Sequence, residues 1–517
     1  MGLCRWLACC LWFAALSACA PLQPFRTEAP AIVASGERGA VGAAPCSAPE
    51  DTGSTASDGL VAPECAARIR EDADRYRLYF AEFDDQGWSY PETPRYGSAS
   101  QQIAILVKDL QRLLENDREK MSIVVFAHGW KHTAASTDTN VRAFRRLLAD
   151  LDTVERGRPH CPRRIVGLYV GWRSAASTFG EPLENLTFWN RKEAAQRVAQ
   201  GDARILFSHL RTIQDNANAD WNVAVEQSRR AVVRKGQQPA TAGTQGVTPW
   251  VDPCLKRVRL SFAGHSFGGG IIYTSIAQAL IRDVVELGHA EALQRALPVE
   301  QRERPILQRE GDLVVVVNPA IEATRFEPLF RAVKEAGLPH YHTPIFIGIT
   351  STEDRATREA FPIGRWLSTR FDKYPDESVI SQRRANQRTF GQTEEFLTHD
   401  LSALPTDQSS AGSCAGWSPK APLASRLAIE EQVLDAFRSD LEKLNFDGTT
   451  LQKRDFCGAQ TLRLTTRTPW AGNSPVWNVQ THTPVVRDHN DFENPLLLDL
   501  LRQLYIEAED RRLVGIR

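Results

Sequence analysis

The chain has 517 residues, of which 24% are charged, and its 62 basic and 63 acidic residues leave a formal net charge of −1. This balance gives no electrostatic reason to expect a nucleic-acid partner. The sequence has no P-loop, no dinucleotide-binding fingerprint and no internal repeat, so it predicts neither a cofactor nor a solenoid.

The N-terminus has the features of an export signal. Arg5 precedes an apolar run at 6–18, which is shorter than the roughly twenty residues that a membrane-spanning helix needs. The letters L-S-A-C at 16–19 resemble a bacterial lipobox, which implies cleavage before Cys19 and lipidation of that residue. Ordinary cleavage after Ala20, which would release the chain, is the alternative. The resemblance implies a lipid-anchored protein of the bacterial envelope, and Ala20 favours the outer membrane facing the periplasm.

Residues 20–65 are rich in Ala, Pro, Gly, Ser and Thr without apolar periodicity, which is typical of a flexible tether. We therefore divide the chain into a leader at 1–18, a tether at 19–70 and one domain at 71–510.

Cysteine usage suggests disulfides. Without the leader and Cys19, six cysteines remain, at 46, 65, 161, 254, 414 and 457. An even number in an exported chain is compatible with three disulfides, although six cysteines allow fifteen pairings. We favour neighbours in sequence, namely Cys161 with Cys254 and Cys414 with Cys457.

Short apolar runs alternate with helical or irregular segments through the domain. The runs lie at 123–127, 164–170, 258–263, 313–317 and 345–349. Such alternation predicts an α/β fold, with mostly parallel strands covered by helices. Upstream, a single strand pattern at 75–83 precedes a helix pattern at 103–115, which leaves the first edge of the sheet uncertain.

One of these strands runs into the sequence GHSFGG at 264–269, which begins a helical pattern. A strand that enters a helix through G-x-S-x-G makes a turn so sharp that the serine side chain is held out at the strand's end. Ser266 is therefore a candidate nucleophile. A chance glycine-rich turn is the alternative.

Together these features resemble the α/β-hydrolase superfamily over about residues 75–510. The likeness depends on four short stretches: the HGW loop at 128–130, the GHSFGG turn, an acidic residue after a later strand and a histidine near the C-terminus. It implies a central, mostly parallel sheet flanked by helices, and a catalytic triad in the order serine, acid, histidine.

The resemblance places the general base at His489, in a polar turn just before an apolar helix pattern at 496–504. Its imidazole would remove the proton of Ser266. His482 is the second candidate, and His399 ranks well below both. His265, inside the turn, is interpreted as a packing residue.

The acid that orients the base is expected in the polar loop after the strand at 345–349, and we choose Asp354. Adjacent Glu353 could take the role, and Glu322, after the preceding strand, is a third candidate.

By the same resemblance, the oxyanion hole consists of the backbone N–H groups of Phe267 and Trp130. The spacing of His128 and His132 invites a zinc interpretation. However, glycine after His128 argues against a helix that carries both histidines, so no metal is predicted.

The domain is longer than the motifs require, with insertions at about 173–255 and 358–475. Both are expected to stand over the nucleophile as a cap that selects the substrate, although they could simply extend the scaffold. The sequence thus predicts an exported serine hydrolase that cleaves carboxylic esters of small molecules or lipids without a cofactor. An amidase or thioesterase with the same triad, and a non-catalytic envelope lipoprotein, are the alternatives.

Overall fold

The computed structural model describes residues 23–29, 65–73, 75–90, 100–116, 119–158, 161–174, 188–224, 227, 252–296, 298, 311–339, 341–374, 381–405, 412–443 and 452–508. The predicted leader, Cys19 and Cys46 lie outside these residues.

Within the described residues, eleven strands form one sheet in the order β1-β2-β4-β3-β5-β6-β7-β11-β8-β10-β9. The strands are β1 Arg70–Asp72, β2 Tyr76–Phe83, β3 Met121–Ala127, β4 Arg164–Trp172, β5 Val258–His265, β6 Leu313–Val317, β7 Phe346–Ser351, β8 His399–Ala403, β9 Lys453–Phe456, β10 Leu462–Thr466 and β11 Val476–Thr481. The pairs from β2 across to β8 are parallel, whereas β1, β10 and β9 join in antiparallel fashion. The predicted α/β class with a mostly parallel sheet is therefore confirmed.

Helices cover both faces of this sheet. They are α1 Gln101–Leu114, α2 Thr139–Arg156, α3 Phe188–Gln200, α4 Asp202–Ala217, α5 Phe267–Arg295, α6 Ala323–Ala336, α7 Phe361–Thr369, α8 Gln382–Gln387, α9 Leu423–Lys443 and α10 Pro495–Glu507. One core cluster joins one face to α1, α3, α4, α5 and α6, and the other core cluster joins the opposite face to α2 and α10. This two-sided burial explains why every residue of β3, β5 and β6 is buried and why most of these residues are apolar.

The first edge of the sheet, which the sequence left uncertain, has one long strand and one short one. Strand β2 pairs in parallel with β4 along its whole length, and the three-residue β1 pairs antiparallel to β2 at the outer edge.

The described parts of the two insertions pack into the scaffold, and the role of these insertions as a cap that selects the substrate stays a prediction. In the first insertion, α3 packs on α5, and α4 packs on α3, α1 and β5. The second insertion supplies β8, β9 and β10, which extend the sheet beyond β11. The alternation of buried and partly buried residues along β10 explains this, because Leu462 and Leu464 enter the core while their neighbours face outward.

The prediction of a flexible tether is wrong for residues 23–29, which are fixed to the domain. The Arg26 side chain is fully buried, pairs with Glu71 at 2.8 Å and lies 3.6 Å from the ring centroid of Phe80. The Glu82 carboxylate accepts hydrogen bonds from the backbone N–H groups of Phe25 and Arg26 at 3.0 and 2.9 Å. A single buried arginine between two buried carboxylates thus outweighs the disorder that the composition predicts.

The cysteine pairs agree with the sequence prediction where the structure describes both partners. Cys161 is bonded to Cys254, and Cys414 is bonded to Cys457, with Cα atoms 5.4 Å apart in each pair. The first pair joins the segment before β4 to the segment before β5, and the second joins the loop before α9 to the end of β9.

Candidate active site

Ser266 occupies the junction between β5 and α5 in a strained backbone conformation. Its φ is 54° and its ψ is −120°, a region that L-residues with a side chain rarely adopt. The backbone is held there from both sides. The N–H of Ser266 donates to the carbonyl of Val317 at 2.9 Å, and its carbonyl accepts from Gly270 at 3.2 Å and from Ala320 at 3.3 Å. Such strain at the end of a strand is typical of a functional position.

The glycines of the turn are required because backbone passes close to them. A Cβ added to Gly264 would lie 2.7 Å from the Cα of Gly269, and one added to Gly268 would lie 2.1 Å from the carbonyl oxygen of Ala127. Backbone atoms cannot move aside as a flexible side chain can. The G-x-S-x-G pattern is therefore the sequence signature of close contact between α5 and the neighbouring strands.

The structure brings Ser266, His489 and Asp354 into one chain of hydrogen bonds. The Nε2 of His489 lies 2.8 Å from the Oγ of Ser266, and its Nδ1 lies 2.9 Å from the Oδ1 of Asp354. Ser266 follows β5, Asp354 follows β7, and His489 lies between β11 and α10, so parallel topology places all three at the carboxyl edge of the sheet. Ser266 is 2% exposed, and the side chains of Asp354 and His489 are 0% and 16% exposed.

The Asp354 carboxylate is stabilised in its charged form. Its Oδ2 accepts from the Thr357 hydroxyl at 2.6 Å, and its Oδ1 accepts from the backbone N–H of Thr357 at 3.1 Å. Burial raises the pKa of Asp354, but His489 and Thr357 outweigh this effect and hold that pKa below its usual value. An ionised Asp354 can only accept, so the Nδ1 of His489 carries its proton and Nε2 is free to accept the proton of Ser266.

The loop that carries His489 is held by two side chains that sequence reasoning did not assign to the site. The Nε2 of His265 donates to the carbonyl of His489 at 2.6 Å, and the Nδ2 of Asn318 donates to the carbonyls of Asp488 and His489 at 3.1 and 3.2 Å. Burial, followed by the neighbouring His489, holds the pKa of His265 well below its usual value, so this ring stays neutral.

Asn318 also explains a second local feature of the fold. It follows β6 with a φ of 45°, a conformation that Asn tolerates better than most residues, and its Oδ1 accepts from the N–H of Ser351 at 2.9 Å. An asparagine at the end of a buried strand was the only local sign of this role. Its hydrogen-bond partners are 33 and 170 or more residues away, so the sequence did not reveal them.

The HGW loop lies against the nucleophile. A Cβ added to Gly129 would lie 3.0 Å from the Cβ of Ser266. The fully buried ring of His128 donates from Nδ1 to the carbonyl of Gly129 at 2.8 Å and accepts at Nε2 from the N–H of Trp172 at 3.1 Å. His132 instead contacts Asp138 and Asn140, at 3.1 and 3.2 Å. The two histidines that suggested zinc therefore have separate protein partners.

The side chains of the two residues predicted for the oxyanion hole, Trp130 and Phe267, both pack on the same aromatic ring. Phe188, at the start of α3, has its ring centroid 5.2 Å from that of Trp130 and 4.9 Å from that of Phe267. Phe267 is also the first residue of α5, and N–H groups in the first turn of a helix lack intrahelical partners and carry partial positive charge. This end of α5 can stabilise an anion beside Ser266.

The other candidate residues lie outside the hydrogen-bond chain of Ser266, His489 and Asp354. His482 and Glu353 are exposed. His399 is buried in β8, where its Nδ1 lies 2.8 Å from the Thr398 hydroxyl, and burial lowers its pKa to about 3. Glu322 is buried and forms ion pairs with Lys192 at 2.5 Å and with Arg325 at 3.1 Å.

A small, partly open pocket lies beside α5, and Phe267, the residue after Ser266, is part of its lining. Apolar atoms of Phe267 and Ile321 line it together with the charged side chains of Lys192, Glu322 and Arg325.

Comparisons of this chain with protein-family models, curated proteins and solved structures found no match. Among the helices that the structure describes, none has the length and apolar character needed to span a membrane. Any function must therefore be argued from the site itself.

The buried histidines predict a loss of stability in mild acid. Burial lowers the pKa of His128 to about 4, whereas an unfolded histidine titrates near 6.5. As the pH falls from about 6.5 to 4, only the unfolded chain takes up this proton, so His128 alone costs roughly 3 kcal/mol of folding stability. Urea unfolding at each pH measures the loss, and His128→Asn should show a shallower pH dependence. Identical pH dependence in both proteins would contradict this assignment.

Proposed function

We propose that this protein is a serine hydrolase with an α/β-hydrolase fold that cleaves carboxylic esters through an acyl-enzyme. The observation that carries the proposal is the hydrogen-bond chain from Ser266 through His489 to Asp354. The serine lies at a strained strand-to-helix turn, and the acid and base follow it in chain order after later parallel strands, as this fold arranges them.

In the first half-reaction, the Oγ of Ser266 attacks the ester carbonyl as its proton passes to the Nε2 of His489. The negative charge that develops on the carbonyl oxygen is stabilised by the backbone N–H groups of Phe267 and Trp130. His489 then gives its proton to the leaving alcohol oxygen, the bond between carbonyl carbon and alcohol oxygen breaks, and the acyl group remains on Ser266.

In the second half-reaction, water takes the place of the alcohol. His489 accepts a proton from the water as its oxygen attacks the acyl carbonyl, and it returns this proton to the Oγ of Ser266 when the acid leaves. Asp354 stays ionised throughout and stabilises the imidazolium of His489, in agreement with its lowered pKa. Each proton moves between groups of this chain, substrate and water, so the mechanism requires no cofactor.

The same groups would attack an amide or a thioester. We propose the ester because its carbonyl is less stabilised by resonance than that of an amide and is attacked more readily, and a panel of matched ester, amide and thioester substrates decides the bond type. With the lipidation predicted at Cys19, which lies outside the described residues, the enzyme would act at the bacterial envelope.

Removing the nucleophile or the base should abolish turnover without unfolding the protein. We expect Ser266→Ala and His489→Ala each to lower the rate of ester hydrolysis on the order of a millionfold, because the triad acts as a unit. His482→Ala is the matched control, and its rate should equal that of the unsubstituted protein because this side chain is exposed. Steady-state kinetics on a p-nitrophenyl ester, with thermal unfolding of each variant, provide the measurement. Full activity of His489→Ala would overturn the proposal.

The acid is tested in the same way. Asp354→Asn removes the charge that selects the Nδ1–H tautomer of His489, so turnover should fall on the order of ten-thousandfold. Glu353→Gln changes the neighbouring, exposed carboxylate and should leave turnover within about twofold of the unsubstituted rate. If Glu353→Gln were the more damaging substitution, the acid would have to be reassigned.

A further inference from the structure

Helix α7 exposes an unusual set of large apolar side chains. Ile363, Trp366 and Leu367 are 62%, 54% and 55% exposed, and Phe371, just past the end of the helix, is 82% exposed. The spacing of the first three places them on one face of the helix. Four of the ten large hydrophobic residues that are exposed in the described part of the chain thus lie within nine positions. Such clustering marks an interaction surface, whereas scattered apolar residues need no explanation.

The opposite face of α7 is buried, which fixes the helix to the domain. Phe361, Gly364 and Thr369 are the buried residues of the helix. The ring of Phe361 lies 5.7 Å from that of Trp189 in α3, and Gly364 contacts the same indole so closely that a Cβ would not fit there. The exposed apolar face is therefore held outward by a packed inward face.

Basic residues accompany the apolar face. Five basic and two acidic residues between positions 355 and 373 leave this segment with a charge of +3. The Arg370 guanidinium lies 4.4 Å from the centroid of the Phe371 ring, and Lys373 is exposed two residues further on. Positive charge beside exposed aromatic residues complements a membrane surface, which has an apolar interior and anionic head groups.

The position of this surface relates it to the candidate active site. Asp354 is held by Thr357, and a π-helical turn at Ala356–Ala360 leads directly into α7. The apolar face therefore lies at the same edge of the sheet as Ser266.

We propose that the apolar face of α7, formed by Ile363, Trp366, Leu367 and Phe371, binds the surface of an anionic phospholipid bilayer. The apolar side chains enter the boundary between head groups and acyl chains, while Arg370 and Lys373 contact the head-group phosphates. The nine residues of α7 are too few to cross the bilayer, so the helix lies in its surface. This contact turns the edge of the sheet that carries Ser266 toward the lipid. The proposal concerns binding and does not require the triad to be active.

The test uses the chain from residue 20 to 517, which keeps every described residue but lacks the leader and the predicted acylation site. Flotation with vesicles of phosphatidylglycerol and phosphatidylcholine, and of phosphatidylcholine alone, gives the partition coefficient. The patch variant is Trp366→Ser/Phe371→Ser. Its matched control is Ile205→Ser/Leu293→Ser, which replaces side chains that are 54% and 71% exposed on α4 and α5.

We expect the unsubstituted chain to bind the anionic vesicles more tightly than the neutral ones. Two buried aromatic side chains contribute enough that the patch variant should bind at least about tenfold more weakly. Each basic side chain near an anionic surface strengthens binding about fivefold, so Arg370→Gln/Lys373→Gln should reduce binding to anionic vesicles by roughly twenty-five-fold. The control variant should bind like the unsubstituted chain, and all variants should unfold at the same temperature.

The proposal is overturned if the unsubstituted chain does not float with anionic vesicles, or if the control variant loses as much binding as the patch variant. It is also overturned if the chain forms a dimer that the patch variant disrupts and shows no affinity for vesicles, because a second copy of this chain would then be the occupant. Hydrolysis of a dissolved ester by the patch variant, at the unsubstituted rate, shows that the fold and the triad are intact.

Discussion

The geometry of the candidate site at the carboxyl edge of the sheet depends on the backbone of Ser266, which is held at a φ of 54° between β5 and α5. That conformation directs the hydroxyl out of the strand, and α5 starts immediately afterwards. The hydroxyl of Ser266 and the backbone N–H of Phe267 therefore lie close together. It persists because Gly264 and Gly268 let the helix approach the sheet, and because backbone groups of Val317, Ala320 and Gly270 form hydrogen bonds with Ser266. The neighbouring elements stabilise a turn that an isolated peptide would avoid.

The imidazole must then reach this hydroxyl from more than two hundred residues further along the chain, at a separation of 223 positions. Parallel strands bring the loops after β5, β7 and β11 to one edge, but proximity alone does not orient a ring. The hydrogen bonds from His265 and Asn318 fix the backbone of His489, and Asp354 fixes its tautomer. Ser266, Asp354, His489 and the two side chains that hold the loop of His489 thus form one interdependent unit at the carboxyl edge of the sheet, and α7 begins shortly after Asp354 along the chain.

Sequence reasoning located the triad residues because each follows a strongly patterned strand or precedes a patterned helix, and because the glycines of the turn are local. It did not assign roles to Asn318 or Arg26. The partners of Asn318 lie 33 to 171 positions away and those of Arg26 lie 39 to 108 positions away, so they leave no mark on local composition. Composition misled for residues 23–29, which one buried arginine fixes to the domain although the whole stretch 20–65 is rich in small residues. The second insertion adds β8, β9 and β10 to the sheet, and the alternating pattern of Leu462 and Leu464 belongs to this extension.

The central claim is that the Oγ of Ser266 is an activated nucleophile. The most direct measurement is mass spectrometry of the native protein after treatment with a fluorophosphonate, which reacts with serines that a neighbouring base has activated. We predict one adduct per chain, located on the peptide that contains Ser266, and no adduct after the protein has been unfolded in urea. A folded protein that stays unmodified while a known serine hydrolase reacts in the same tube, or that carries the adduct on another residue, would contradict the account.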